Sequence, residues 1–363
     1  MSRLPRTAIN DLLGSRYPVI QTAMGWVAKP KLVAASCNAG AFGFLACAVM
    51  KADEVGPAID EVRRLTQQPF GVNFHMFQPG AAQIVDTLIE KRVAAVSFGR
   101  GPDKKMIARF QQAGIKCVPT VGAVKHAQKM AELGVDMLVV QGGEGGGHTG
   151  SVASTVLLPQ VMDAVKVPVV AAGGFADGRG LAAALAYGAH GIAMGTRFLM
   201  TSDCPVPEQT RARYVAASVD DIFVTNRLDG IPQRMIRNRL TARIENAGRM
   251  RMLTTALASA WRLSQLNGMS FGGMLRSARG MAHAEGSYAR ALMAAVAPVL
   301  IQRAVEQGNP DEGVMATGLV AGRLTDLPSC QDLIQRIVRE AEERLDSLHD
   351  ASSSPHVRQT SAS

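Results

Sequence analysis

The 363-residue sequence has no apolar run approaching the ~20 residues that a membrane-spanning helix needs, which argues against an integral membrane protein. Its opening MSRLPR lacks the apolar segment of a secretory signal, so the expected location is cytoplasmic. Cysteine is scarce and scattered. Cys37, Cys47, Cys117, Cys204 and Cys330 are odd in number and never two to four residues apart, which speaks against both a disulfide framework and a zinc site. Structural thiols are expected. Aromatic residues are only 5% of the chain, too few to interleave with basic residues as on a nucleic-acid surface. No candidate strand leads into a GxGxxG fingerprint, so no separate dinucleotide site is visible. Lysine is missing between residues 227 and 303, where twelve arginines meet only Asp229, Glu245 and Glu285. This stretch carries the whole net charge of +9, because the remainder balances at 27 basic and 27 acidic residues. Arginine without lysine favours bidentate recognition of phosphate or carboxylate, with a solvated helix face as the plainer alternative.

Hydrophobic residues, at 47%, and 36 glycines suit an α/β enzyme with many tight turns. Up to about residue 200 one phrase recurs: a short apolar run, a small-residue loop, then a helix-like segment. The spacing predicts strands at 18–24, 42–48, 70–75, 94–99, 117–122, 137–142, 168–174 and 191–198. Alanine-rich helical stretches lie between them at 32–38, 52–65, 81–91, 104–113, 127–133, 156–165 and 180–187. Strands joined by crossover helices run parallel, and eight of them fit a (β/α)8 TIM barrel more simply than an open sheet. The expected organisation is a barrel from 1–205 and 311–350, an Arg-rich helical subdomain at 206–310, and a disordered serine-rich tail at 351–363. Within 311–348 a helix pair is expected, returning to the barrel as its last helix.

Ligands of such barrels bind at the carboxyl ends of the strands, with phosphate commonly on the loops after strands seven and eight. Here strand seven ends in AAGG, at Gly173 and Gly174, and strand eight in AMGT, at Ala193, Met194, Gly195 and Thr196. Backbone amides at glycines, a helix amino terminus and the Thr196 hydroxyl all suit an anion. The phosphate could belong to a substrate or to a cofactor. Across the mouth, Asn73 and Gln141 offer amide edges to a heteroaromatic ring, with loop capping as the alternative. Strand six opens into QGGEGGGHTG at 141–150, whose one imidazole, His148, would face the ligand; an incidental surface histidine in a glycine turn is the rival reading. Trp26 and Trp261 read as buried core, with an acyl pocket as the alternative.

The ordered set of QTAM at 21–24, LVAASCNAG with GFL, PFGVN, QGGEGGGHTG, AAGG and MGT resembles the nitronate monooxygenase (2-nitropropane dioxygenase) family of FMN-dependent barrels. The resemblance implies FMN contacts at Met24, Asn73, Gln141, Gly146, Gly174, Gly195 and Thr196, with the backbone of Ala193 and Met194. It makes His148 the catalytic base. The family often has glutamine where this chain has Ala193. MGWV at 24–27, DGIPQR at 229–234 and GLVAGRLTDLPS at 318–329 look closest to a steroid-catabolic branch, whose members resemble NAD-linked flavin oxidoreductases acting on ring remnants carried as coenzyme A thioesters. That implies NADH or NADPH as co-substrate and an acyl-CoA substrate whose phosphates are held by arginines, with Arg234, Arg237 and Arg239 the candidates. Nitronate monooxygenase, enoyl-thioester reductase and a flavin-free phosphate-binding barrel are the alternatives. No nucleic-acid or membrane partner is expected, and a homo-oligomer is left open.

Overall fold

A computed structural model of the chain describes residues 3–98, 103–246 and 288–353. After a short helix α1 (Ala8–Leu13), parallel strands alternate with helices: β1 (Val19–Gln21), α2 (Pro30–Asn38), β2 (Phe42–Ala46), α3 (Ala52–Leu65), β3 (Gly71–Asn73), α4 (Ala81–Glu90), β4 (Ala95–Ser97) and α5 (Lys104–Gln112). The alternation continues with β5 (Lys116–Cys117), β6 (Thr120–Val121), α6 (Val124–Glu132) and β7 (Leu138–Gln141), then a two-residue β8 (Gly147–His148) outside the ring, α7 (Ser154–Ala164), β9 (Val169–Ala172), α8 (Gly178–Ala186) and β10 (Ile192–Met194). The strands follow the order β5-β4-β3-β2-β1-β10-β9-β7-β6.

β5 and β6 are two halves of one segment, so the two ends of that order meet and the ring closes as an eight-stranded barrel. Pro119, which has no N–H to donate to a ladder, sits at the break. On one side of it the Val118 amide reaches the Val96 carbonyl at 2.8 Å; on the other, the Pro119 carbonyl accepts from Val139 at 2.9 Å. The expected continuous strand at 117–122 is therefore corrected to a split one. The eighth also ends earlier than expected, because Thr196–Leu199 turns into a short helix, α9.

Both faces of the strands are buried, which explains their near-continuous apolar runs. In β2, Phe42 and Phe44 point into the barrel with Ile20, Val139, Val170 and Ala193, while Leu45 packs outward against the helices. Ile9 and Leu13 of α1 close the amino-terminal end of that interior.

The chain after residue 205 departs from the expected helical unit. It holds α10 (Glu208–Val215), an antiparallel hairpin of β11 (Ile222–Thr225) and β12 (Gln233–Ile236), α11 (Arg239–Glu245) and α12 (Tyr288–Val305). The IFVT run of β11 is β-branched and aromatic, as strands prefer. Most of the arginine-rich stretch, Trp261 and the tail beyond Ser353 lie outside the described residues. In place of the expected helix pair, 311–329 is largely irregular with one 3-10 turn at Leu319–Arg323, followed by the single helix α13 (Cys330–Ser353). α13 lies against α8 and α2, the position of the barrel's last helix. Gly178 permits this approach, since a Cβ there would stand 2.4 Å from the Ala341 nitrogen.

Candidate active site

At the carboxyl ends of the strands lies a cavity of about 490 Å³. All ten residues singled out as cofactor contacts or base, from Met24 to Thr196 and including His148, line it. Gly173 and Gly174 take φ values of 93° and 83° as the chain leaves β9, a conformation a side chain would strain. Asn73 at the end of β3 donates through Nδ2 to the Ser97 carbonyl at 3.0 Å, and Gln141 through Nε2 to the His148 carbonyl at 3.0 Å. Thr196 accepts the Gly318 amide at 2.8 Å through its hydroxyl oxygen, which leaves the hydroxyl proton for another acceptor. Ala193 is buried, so its contribution to the cavity is backbone and a methyl group. Trp26 also lines the cavity, at φ 60°, a left-handed conformation uncommon for a bulky residue. With Val49, Leu199, Val320 and, from α12, Ile301 and Val305, it forms an apolar wall.

His148 is placed by an interaction that the sequence did not announce. β8 pairs antiparallel with β12, with Gln233 opposite His148 and Arg234 opposite Gly147. Nε2 of His148 lies 2.6 Å from Oδ2 of Asp229, in the turn between β11 and β12. Gln233 donates to the same oxygen at 2.5 Å, and the Ile231 amide to Oδ1 at 3.1 Å. Burial alone would raise the Asp229 carboxyl, but the His148 hydrogen bond and charge, with the Ile231 and Gln233 donors, hold it below its ordinary value. DGIPQR stood out as a phrase, yet nothing local tied it to a histidine 81 positions away.

Glu144, in the same glycine loop, accepts from the Ser154 amide and hydroxyl at 3.0 and 2.9 Å, capping α7. The arginines proposed for phosphate stand elsewhere. Arg234 donates to the carbonyls of Gly143 and Gly145, Arg237 lies 4.6 Å over the Phe223 ring, and Arg239 faces Glu312 at 3.5 Å. Among the described residues lining the cavity, none of the three appears.

A barrel with its cavity at the strand ends, a glycine cup after β9 and β10, and an imidazole on a glycine loop defines a class of oxidoreductase barrel. The family model for nitronate monooxygenase matches residues 6–87 and 80–340, and the chain belongs to that family of flavin-dependent oxidoreductases. It is 47% identical, over 93% of its length and 96% of the relative, to the (3aS,4S,5R,7aS)-5-hydroxy-7a-methyl-1-oxo-octahydro-1H-indene-4-carboxyl-CoA dehydrogenase of Mycobacterium tuberculosis. The protein of the same name from Rhodococcus jostii is 46% identical over 94% of this chain and 98% of its own. Among solved structures, FabK from Thermotoga maritima superposes with a TM-score of 0.77 at 31% identity, covering 96% of this chain and all of FabK.

The flavin implied by the family suits the residues present. The left-handed turn at Gly173 and Gly174 would cradle an anionic group, the Thr196 hydroxyl has a proton to donate, and Asn73 and Gln141 bring amide edges to the same space. No described helix is long and apolar enough to cross a membrane.

Proposed function

We propose that the protein is an FMN-dependent oxidoreductase of steroid-ring breakdown that forms or removes a carbon–carbon double bond next to the thioester of a bicyclic acyl-CoA. The observation that carries this reading is the single cavity that joins the glycine cup, the His148 imidazole and an apolar wall partly supplied from α12. Full-length similarity to two hydroxy-methyl-oxo-indene carboxyl-CoA dehydrogenases supports the substrate class.

A bound flavin supplies a two-electron acceptor or donor for hydride. The protein's own residues do the remainder. In the dehydrogenating direction His148 takes the acidic proton from the carbon beside the thioester carbonyl while the neighbouring carbon loses hydride, and the two carbons become doubly bonded. Gly173, Gly174, Gly195 and Thr196 hold the phosphate, and Asn73, Gln141 and Met24 orient the ring system. Trp26, Val49 and Ile301 exclude water around the bicyclic acyl group. NAD or NADP serves as the second redox partner, Ile301 and Val305 of α12 bound the substrate side of the cavity, and the protein works in the cytoplasm.

The test is the visible spectrum of the purified protein under anaerobic conditions. Flavin absorbance bleached by the hydroxy-methyl-oxo-indene carboxyl-CoA and restored by NAD or NADP supports the reading. A protein that FMN cannot colour overturns it. Oxygen consumption with propionate 3-nitronate, without bleaching by the thioester, would instead make it a nitronate oxidiser. His148→Ala lowers turnover by about 100-fold or more with flavin retained.

A further inference from the structure

Three polar groups converge at the edge of the cavity. Oδ2 of Asp229 receives Gln233 Nε2 at 2.5 Å and stands 2.6 Å from His148 Nε2, while Gln233 Nε2 and His148 Nε2 are 3.0 Å apart. The Asp229 side chain is 14% exposed, whereas the imidazole, open to the cavity, is 56% exposed. An ionised carboxylate only accepts hydrogen bonds, so of two nitrogens meeting one oxygen, each must bring a hydrogen. The lone pair of the neutral imidazole is thereby assigned to Nδ1.

We propose that Asp229 is the positioning residue of His148: it fixes the Nε2–H tautomer, aims Nδ1 as the proton-accepting atom, and stabilises the ring once that proton has arrived. This rests on His148 being the base. The proton leaves the carbon beside the thioester, its bonding pair enters the new double bond, and it ends on Nδ1; Asp229 remains ionised throughout. Its carboxyl already lies below the ordinary value, as an acceptor of three donors should.

The arrangement depends on the hairpin. Asp229 sits in its turn, β12 pairs with β8, and the Thr149 amide adds a bond to the Pro232 carbonyl at 3.0 Å, so the carboxylate and the imidazole are set in one register. The other charged or titratable groups around the base are accounted for. Glu144 is bonded to Ser154, Arg234 is turned to the Gly143 and Gly145 carbonyls, and His75 lines the cavity from the loop after β3. Among the described residues, Asp229 is therefore the carboxylate that contacts the ring.

The experiment compares Asp229→Asn, Asp229→Glu and Asp229→Ser with wild type in the flavin-loaded protein, using the hydroxy-methyl-oxo-indene carboxyl-CoA as probe. Serine can still accept the Ile231 amide in the turn, so it separates loss of charge from loss of the turn. Asn and Ser should lower kcat by ~10²–10⁴-fold with KM changed by no more than ~3-fold and flavin content unchanged. Glu should recover at least ~10-fold of the loss. Ring 15N shifts of His148, read without turnover, should show the Nε2–H tautomer in wild type and a mixture in Asn and Ser. Wild-type kcat and tautomer in Asn or Ser overturn the proposal. Equal losses in all three variants accompanied by flavin loss also overturn it, because they mark a purely structural role. If His148→Ala keeps its turnover, the base assignment itself fails. If His148→Ala is inactive while Asp229→Asn is fully active, only the role of Asp229 fails.

Discussion

Arg234 of β12 donates through Nη1 to the Gly145 carbonyl at 3.1 Å and to that of Gly143, so a guanidinium of the hairpin ties down the loop that carries His148. An arginine engaged with two carbonyls supports the geometry of the His148 loop. Arg234→Met leaves the buried Gly145 carbonyl without that donor, while the Gly143 carbonyl keeps the Thr149 hydroxyl, and a buried acceptor left unsatisfied costs about 1–3 kcal/mol. The variant should unfold at lower urea concentration and turn over more slowly with KM for the acyl-CoA nearly unchanged. A KM rising steeply while stability is retained would place Arg234 on the coenzyme A phosphates.

Thr196 gives a second, narrower expectation. Its oxygen is occupied by the Gly318 amide at 2.8 Å, so its proton is available to a phosphate oxygen in the cavity. Valine keeps the shape and removes both bonds. A hydrogen bond to a charged partner contributes about 1.5–3 kcal/mol, so Thr196→Val should weaken FMN binding by at least ~10-fold. Fluorescence titration of the apoprotein with FMN measures this, and an unchanged dissociation constant would remove the hydroxyl from the phosphate site.

The barrel was legible because its strands are buried on both faces: runs such as FGFLA in β2 or VVAA in β9 announce themselves without help from the rest of the chain. The break at Pro119 was visible as a residue but not as a consequence, since only the closed ring shows that Val118 serves β4 and Pro119 serves β7. The hairpin was missed because arginine and methionine in QRMI masked a four-residue strand beside the clearer IFVT. The cavity residues could be chosen from loops following strands, which is a local property. The Asp229 partner of His148 could not, because it exists only through the pairing of β12 with β8. Arginine density likewise pointed to anions without registering that Phe223, Glu312 and the loop carbonyls compete for those side chains.

The five cysteines should be silent in the native protein. All are buried, and burial pushes the thiols of Cys37, Cys47, Cys117 and Cys330 up to about 12 and that of Cys204 to about 11. The thiolate is the reactive form, so almost none is present near neutral pH. Titration with a thiol reagent at pH 8 should label none of them in the folded protein and all five after denaturation. Rapid labelling of a native thiol would show that its surroundings open.

Beneath the glycine cup, Arg197 is only 1% exposed and depends on Asp326, which it meets at 2.7 Å; Arg336 holds the other carboxylate oxygen at 2.7 Å. Arg197 also donates to the carbonyls of Met200 and Asp326, so it pins 324–329 to the end of the barrel. Removing the carboxylate leaves a buried cation without its counter-charge, but the carboxylate is itself 43% exposed and screened by water, so Asp326→Ala should destabilise the fold by about 1–3 kcal/mol. The pH dependence has a definite sign. Burial alone would raise the Asp326 carboxyl, but the bonds and charges of Arg336 and Arg197 hold it below its ordinary value. Its stabilisation is therefore complete above the ordinary aspartate pKa of about 3.9 and is lost as pH falls through the lowered folded value. Urea unfolding followed from about pH 6 to pH 3 should show the wild type approaching Asp326→Asn at the acidic end, with the gap widest above about pH 4. A gap independent of pH would mean that the contribution of Asp326 is packing and not charge.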